Sequence, residues 1–187
     1  MKRMSGSVKL FLVLMGCSFI FGIQPARAVD VNINISGEIY IPPCKINGND
    51  MDIDVSFGKM SLYDVDGQKN AKTKTVTVSC DYYQGTPYIR VDGMVLQGAG
   101  DNVLQTTGAN QLTLGIALYQ GDTVNTSYPL RIGVGEQGMY GYKITRGLEM
   151  DKGAGNFTFT AVPVEYGQGS LIAGPFSATA TMSISYL

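Results

Sequence analysis

The side chains that most often carry out chemistry in proteins are scarce in this chain of 187 residues. It contains no histidine, so a serine or cysteine nucleophile activated by histidine is excluded. The 15 Asp and Glu residues could in principle supply the two carboxylates of a glycosidase. Most of them fall in turns or on polar strand faces, where solvated carboxylates are typical. We therefore expect no catalytic residue and no enzyme.

Two short motifs resemble ligand-binding loops but lack the context that those loops need. Residues 133–138 read GVGEQG and match G-x-G-x-x-G, yet a dinucleotide-binding loop must open a helix, and the sequence that follows is typical of loop and strand. Asp64 and Asp66 stand in DVDG, which lacks the third acidic position and the closing Glu of a calcium loop. We predict a glycine-rich connection and a turn, with no cofactor and no metal.

The cysteines and the N-terminal residues fit an exported protein. Residues 1–28 combine a basic start, an apolar run and an A-x-A ending at Ala28, which is typical of a cleaved signal peptide; a lipoprotein site at Cys17 is the alternative. Cleavage would leave 187 − 28 = 159 residues that contain Cys44 and Cys80. Two cysteines in an oxidising compartment favour one disulfide, and two buried free thiols are the alternative.

The charge of the mature chain argues against nucleic acid as a partner. The signal segment holds four basic and no acidic residues, so 14 − 4 = 10 basic and 15 acidic residues remain, a net charge of −5. Neutralising phosphates requires clustered Lys and Arg. The mature length suits one domain.

The elements that would have to position any site are β-strands. Apolar residues recur at alternate positions, the period of a half-buried strand, in residues 29–41, 53–57, 75–83, 88–91, 112–119, 130–132, 142–145, 157–164 and 176–187. Residues 98–110 and 167–174 read as loops, and no stretch shows helical periodicity. Short strands broken by Gly and Asn indicate an all-β sandwich, with residues 112–119 as the best candidate for a central strand.

The two ends of the mature chain show the most regular alternation. One face of the first run carries Val31, Ile33, Ile35 and Gly37, and one face of the last carries Phe176, Ala178, Ala180, Met182, Ile184 and Tyr186. An open sandwich can bind another chain's strand along a sheet edge. A missing strand would withhold three or four large aliphatic side chains, worth about 5–10 kcal/mol, from a domain whose whole stability is about 5–15 kcal/mol. For the first run, an ordinary edge strand of a closed sandwich is the alternative.

Three features together resemble the minor pilins of bacterial chaperone–usher pili, and most of all the pilus-tip adaptor subunits. They are the start VNINISGEIYIPPCK at residues 31–45, the pair Cys44 and Cys80, and the C-terminal run with Gly174 fourteenth from the end and Tyr186 next to last. The resemblance covers the whole mature sequence. It implies an incomplete immunoglobulin-like sandwich that lacks its seventh strand, formed by residues 38–187 and preceded by a donor-strand extension at residues 29–37.

The resemblance also implies partners and site residues. A periplasmic pilus chaperone would lend a strand beside residues 176–187 and hold the carboxylate of Leu187, until at the outer-membrane usher the extension of the next subunit replaces it. This chain's own Val31, Ile33, Ile35 and Gly37 would enter the groove of the subunit ahead, which for an adaptor is the tip adhesin. The groove and the chaperone-recognition motif would comprise Gly174, Phe176, Ala178, Ala180, Met182, Ile184, Tyr186 and Leu187.

Such a protein would reach the bacterial surface as part of a fimbrium and support cell adhesion. The alternative is a carbohydrate-binding adhesin, whose sugar-stacking patch would be built from Tyr82, Tyr83, Tyr88, Tyr140 and Tyr142.

Overall fold

Residues 31–187 are described by the computed structural model, so the expected signal peptide and its cleavage site lie outside the described residues. Residues up to Glu38 form a unit separate from residues 39–187. In its described part, residues 31–38, this unit contains no helix or strand. The side chains of Val31, Ile33 and Ile35 are exposed.

Strands dominate the second unit, because short apolar alternations are separated by glycine-rich turns. They are β1 (Lys45–Ile46), β2 (Lys72–Ser79), β3 (Pro87–Gly93), β4 (Val103–Gln105), β5 (Leu114–Gln120), β6 (Tyr142–Lys143), β7 (Leu148–Asp151), β8 (Ala154–Glu165) and β9 (Ala180–Tyr186). The helical elements within residues 31–187 are one four-residue turn, α1 (Asn47–Asp50), and two 3-10 turns, Leu62–Asp64 and Gly138–Tyr140. In that range no helix is long and apolar enough to cross a membrane.

Two antiparallel sheets form the sandwich. The larger sheet has the order β1-β2-β8-β5-β4, and the smaller has the order β6-β3-β9. The central strand of the larger sheet is β8: one edge pairs with β2, and the other edge pairs first with β7 and then with β5. Every residue of β5 is buried. This strand, predicted to be central, has neighbours on both edges, β8 and β4, but β8 occupies the centre of the sheet.

The core lies between the two sheets. Ile89 and Ile184 from the smaller sheet and Phe157 from the larger are completely buried, as expected for the facing sides of packed sheets. A second, smaller cluster contains Val162 and Leu96. Because Ala161 belongs to the main core and successive strand residues face opposite ways, this cluster lies on the outer face of the larger sheet.

The strand predictions were wrong in several places. The first strand begins at Lys45, after Pro42 and Pro43, and not before residue 41. Residues 130–132 are not a strand: Leu130 and Ile132 are buried, but their backbone makes single hydrogen bonds to Leu118 and Asp101. Conversely, β4 and β7 were not expected, because three or four residues are too few for the alternation to be recognised.

The two ligand-like motifs are connections between strands. The Asp66 Oδ1 atom accepts hydrogen bonds from the backbone N–H groups of Lys69 at 2.7 Å and Gln68 at 2.9 Å, which is the predicted turn. These bonds favour the ionised form and lower the pKa of the Asp66 carboxyl. Residues 133–138 lead into a 3-10 turn and β6 instead of a helix long enough to face a pyrophosphate.

Candidate functional site

An open groove of about 1660 Å³ runs along the sandwich. One wall is formed by residues 51–60 and the other by residues 174–182, which lead into and include the start of β9. The floor consists of core side chains, namely Val91, Leu104, Ile116, Leu118, Phe159 and Ala161. These floor side chains are themselves buried. The apolar surface that is open to the groove comes from half-buried side chains of the two walls, among them Val55, Phe57, Phe176 and Met182.

The first wall has the side-chain pattern of a strand but not its hydrogen bonds. Ile53, Val55 and Phe57 pack against the core, whereas Asp54 and Ser56 between them, and Asp52 before them, are exposed. Within residues 31–187, the backbone of residues 53–60 makes no hydrogen bond to another strand. The predicted strand at residues 53–57 was therefore correct in its faces, but the segment is not a hydrogen-bonded strand, because no strand of the described chain pairs with it.

The second wall shows the predicted alternation in part, because Ala180 lines the groove but is exposed and Ser185 is buried. Phe176, Ala178 and Met182 are half-buried, Ile184 and Tyr186 are buried, and the serines and threonines between them are more exposed up to residue 181. The strand β9 begins only at Ala180. Before it, the backbone N–H of Thr107 donates to the carbonyl of Ser177 at 2.7 Å, which holds the preceding residues in line with the strand.

The register of β9 shows which of its edges is open. Leu187 and Thr86 exchange two backbone hydrogen bonds, of 3.0 and 2.7 Å, on the side of β3. Partners alternate along an antiparallel ladder, so Ile184, Met182 and Ala180 direct their N–H and C=O groups to the other edge. The carbonyl of Ile184 accepts from the N–H of Cys44 at 2.7 Å. Beyond that bond, the edge at Met182 and Ala180 opens to the groove.

The two walls run in opposite directions. Cys44 lies beside Ile184 at one end, and the rings of Phe57 and Phe176 lie 6.2 Å apart, centroid to centroid, at the other. An apolar floor and an unpaired strand edge together are complementary to one β-strand with alternating side chains. The arrangement can bind such a strand and offers no set of reacting groups.

A disulfide joins Cys44 to Cys80. Both residues are buried, and they connect the residue before β1 to the residue after β2. The predicted pairing is confirmed, and the alternative of two free thiols is excluded. The bond fixes the start of the domain to the larger sheet at the point where Cys44 also contacts β9.

The remaining predicted site residues lie in different surroundings. Tyr186 is buried, and this burial raises the pKa of its phenol. Leu187 pairs with Thr86 through its backbone, and Gly174 is exposed at the groove end. Gly37 is exposed in the separate extension. The wall formed by residues 51–60 is a part of the groove that sequence reasoning missed; an alternating run that carries Asp52 and Asp54 was its only signal.

The tyrosines of the alternative adhesin patch are spread over several elements. Tyr82 and Tyr83 lie in the connection between β2 and β3, and Tyr88 lies on β3. The guanidinium of Arg131 stands 5.5 Å from the ring centroid of Tyr142. That ring face is therefore covered by a cation instead of being free to stack on a sugar.

Comparison with known proteins places this architecture in a family. A family model described as fimbrial protein matches residues 33–187. The chain is 45% identical over 161 residues to the fimbrial adapter PapF of Escherichia coli and 43% identical over 161 residues to the minor fimbrial protein PrsF of Escherichia coli, covering in each case 86% of this chain and 90% of the relative.

Solved structures agree. A structure of the P pilus adaptor subunit PapF is 37% identical, with a TM-score of 0.52 over 80% of this chain and all of that one. The P pilus rod subunit PapA is 20% identical, with a TM-score of 0.57 over 78% of this chain and all of that one, and it supports the fold alone. The fold is an incomplete immunoglobulin-like sandwich, as predicted, and the chain belongs to the fimbrial protein family.

Proposed function

We propose that this protein is a structural pilus subunit, assembled by the chaperone–usher pathway through donor-strand exchange, and that it serves as a minor adaptor between a tip adhesin and the fibre. The observation that carries the proposal is the groove between residues 51–60 and β9, with its apolar floor and free strand edge. The adaptor role is supported by relatives named fimbrial adapter and minor fimbrial protein. The protein has no enzymatic role in this proposal.

The groove makes a borrowed strand a condition of stability. Burying three or four aliphatic side chains on its floor is worth about 5–10 kcal/mol, a large share of the about 5–15 kcal/mol that stabilises a typical domain. A periplasmic chaperone supplies a strand while the subunit is stored, and the extension of the next subunit replaces that strand at the outer-membrane usher. The fibre then carries the protein on the bacterial surface, where it supports adhesion.

The second half of the exchange is the protein's own extension. Val31, Ile33 and Ile35 are exposed in a segment without helix or strand, as a strand to be donated should be. Their side chains enter the groove of the subunit ahead, which is the adhesin. Gly37 follows at the same spacing, where a shallow part of that groove leaves no room for a side chain.

The C-terminal residues form the acceptor side. In this proposal the chaperone's strand lies beside the free edge of β9 and contacts the groove and recognition residues Gly174, Phe176, Ala178, Ala180, Met182, Ile184, Tyr186 and Leu187. Tyr186 acts by packing, because it is buried against the core.

The test is to express the full chain in a periplasm with and without a pilus chaperone. We expect a stable one-to-one complex with the chaperone, and degradation or aggregation without it. A stable, soluble monomer that ignores the chaperone would contradict the proposal. Deletion of residues 29–37 should leave the chaperone complex intact and abolish joining to the subunit ahead.

A further inference from the structure

The two walls of the groove differ in charge. On the wall formed by residues 51–60, with the adjoining Asp50, the charged residues are Asp50, Asp52, Asp54 and Lys59. The opposite wall, residues 174–182, carries no charged residue. This wall is therefore acidic in the half that begins at Asp50. Its one cation, Lys59, lies near the other end of the wall.

The three carboxylates have no cationic partner nearby. Within residues 31–187, the ion pairs shorter than 4.0 Å involve the carboxylates of other residues, namely Asp64, Asp66, Asp92, Asp101 and Asp122. Asp52 and Asp54 are exposed, and Asp50 accepts a backbone hydrogen bond from Ile46 at 2.9 Å. Their charge is thus free to act on a strand that enters the groove.

A strand bound in the groove would expose alternate side chains beside this acidic rim. Its inward residues meet the apolar floor, and its outward residues stand next to Asp52 and Asp54, as cross-strand neighbours do on one face of a sheet. Like charges at such positions are unfavourable and opposite charges are favourable. The acidic rim therefore distinguishes between donor strands by the charge of their outward-facing residues. The apolar floor does not contact those residues.

This chain's own extension has the wrong charge for its own groove. Residues 29–41 read VDVNINISGEIYI. Between the apolar positions stand Asp30, Asn32, Asn34, Ser36 and Glu38, so the side chains of the segment carry two negative charges and no positive charge. The α-amino group that the expected cleavage leaves on Val29 adds one positive charge at its start. A second copy of this chain would place acidic residues beside an acidic rim.

We propose that the acidic rim formed by Asp50, Asp52 and Asp54 makes the groove select donor strands with basic outward-facing residues and disfavour the extension of a second copy of this chain. This inference rests on the proposed strand-accepting function and adds the charge of the accepted strand. It predicts that copies of this chain join one another more slowly than they join a subunit with a basic donor strand.

The experiment uses the subunit in complex with its periplasmic chaperone and three labelled peptides that span residues 29–41. The first has the native sequence, the second carries Asp30→Asn and Glu38→Gln, and the third carries Asp30→Lys and Glu38→Lys. All three keep the same apolar residues. The rate at which each peptide displaces the chaperone is followed by fluorescence anisotropy.

We expect the rate to rise from the acidic to the neutral to the basic peptide, by roughly tenfold in total at about 0.05 M NaCl, since each exposed charge pair contributes a factor of about two to five. At about 0.5 M NaCl the differences should largely vanish, because screening is stronger. The Asp52→Asn/Asp54→Asn double variant should accept the native peptide faster and lose most of the preference. The Asp151→Asn variant, which removes an exposed carboxylate from β7 outside the groove, should behave like the unaltered protein.

The possible outcomes distinguish the selection of strands by charge from the acceptance of a strand by the groove. Equal rates for the three peptides, or a preference that persists in the double variant, would overturn the selection by charge and leave strand acceptance in place. Failure of every peptide to displace the chaperone would show that the apolar residues of this extension do not fit this groove, and would overturn the inference that charge is what disfavours a second copy.

Discussion

The side-chain amide of Asn110 forms two hydrogen bonds with the backbone of Ile172. Its Nδ2 atom donates to the carbonyl of Ile172 at 2.7 Å, and its Oδ1 atom accepts from the N–H of Ile172 at 2.8 Å. Asn110 is buried, and the two residues are 62 positions apart in the chain. This pair fastens the segment that leads into the second groove wall, five residues before the Thr107 bond to Ser177.

Replacing Asn110 with Ala should therefore loosen that wall. Two hydrogen bonds are lost and the backbone groups of Ile172 lose their partner, which costs about 1–3 kcal/mol. Urea unfolding of the peptide-complemented subunit measures the loss. The matched control is Asn125→Ala, since the Asn125 side chain accepts one bond within an exposed turn and its removal should cost less. Equal losses of unfolding free energy in the two variants would show that the hydrogen bonds between Asn110 and Ile172 do not stabilise the fold more than an exposed turn does.

Removing the disulfide should destabilise the complemented subunit. The bond between Cys44 and Cys80 spans 36 residues, and a loop of that size corresponds to about 3–4 kcal/mol of lost chain entropy in the unfolded state. The Cys44→Ala/Cys80→Ala variant should show this loss in urea unfolding, and adding reductant should then change only the unaltered protein. An unchanged unfolding midpoint in the variant would refute the expectation.

Replacing Gly37 with Leu should separate the two activities of the proposed subunit. Chaperone binding depends on the groove and should stay intact, whereas joining to the subunit ahead should fall sharply because the added side chain meets a shallow part of that groove. Both are measured by mixing purified chaperone complexes and following the dimer. Ser36→Leu changes the neighbouring outward-facing position and serves as the control. Normal joining by the Gly37→Leu protein would argue against the donor-strand role of this segment.

Tyr186 should make stability fall at alkaline pH. Burial raises the pKa of its phenol above the ordinary value of 10.0, so the folded state holds this proton more tightly than the unfolded chain. Between those two pKa values the unfolded state binds fewer protons, and stability is therefore lost as pH rises above about 10. The Tyr186→Phe variant should keep the stability at pH 7 within about 1 kcal/mol and lose part of the alkaline slope. Identical slopes for the two proteins would contradict this.

Truncating the side chain of Tyr186 should reduce the accumulation of the chaperone complex in the periplasm. Tyr186→Ala removes a buried ring, a truncation that costs about 3–5 kcal/mol for large aromatic residues, and the amount of chaperone complex should drop. Tyr186→Phe keeps the ring and should accumulate normally. Normal accumulation of the Ala variant would show that neither packing nor recognition at this position matters.

Sequence periodicity predicted which faces of the chain are apolar, and it did so well at both groove walls. It could not predict pairing. Ile53, Val55 and Phe57 alternate like any strand, but the hydrogen bonds of a strand depend on a neighbour, and here the described chain supplies none. Asn110 illustrates a second limit, because a buried amide that binds a backbone 62 residues away leaves no local pattern. The groove itself followed from the resemblance of the two chain ends to pilins, whereas its acidic rim became visible only once the walls were placed.

The position of the disulfide has a mechanical consequence for a fibre under tension. A pull on the extension enters the domain at Ile39 and reaches Cys44 after five residues. There the covalent bridge passes the load directly to Cys80. The 36 − 1 = 35 residues between the two cysteines, which include the groove wall at residues 51–60, are not part of this covalent path. Without the bridge, the covalent path from the extension to β2 would run through residues 45–79, and so through the wall that is proposed to hold the neighbouring subunit's strand.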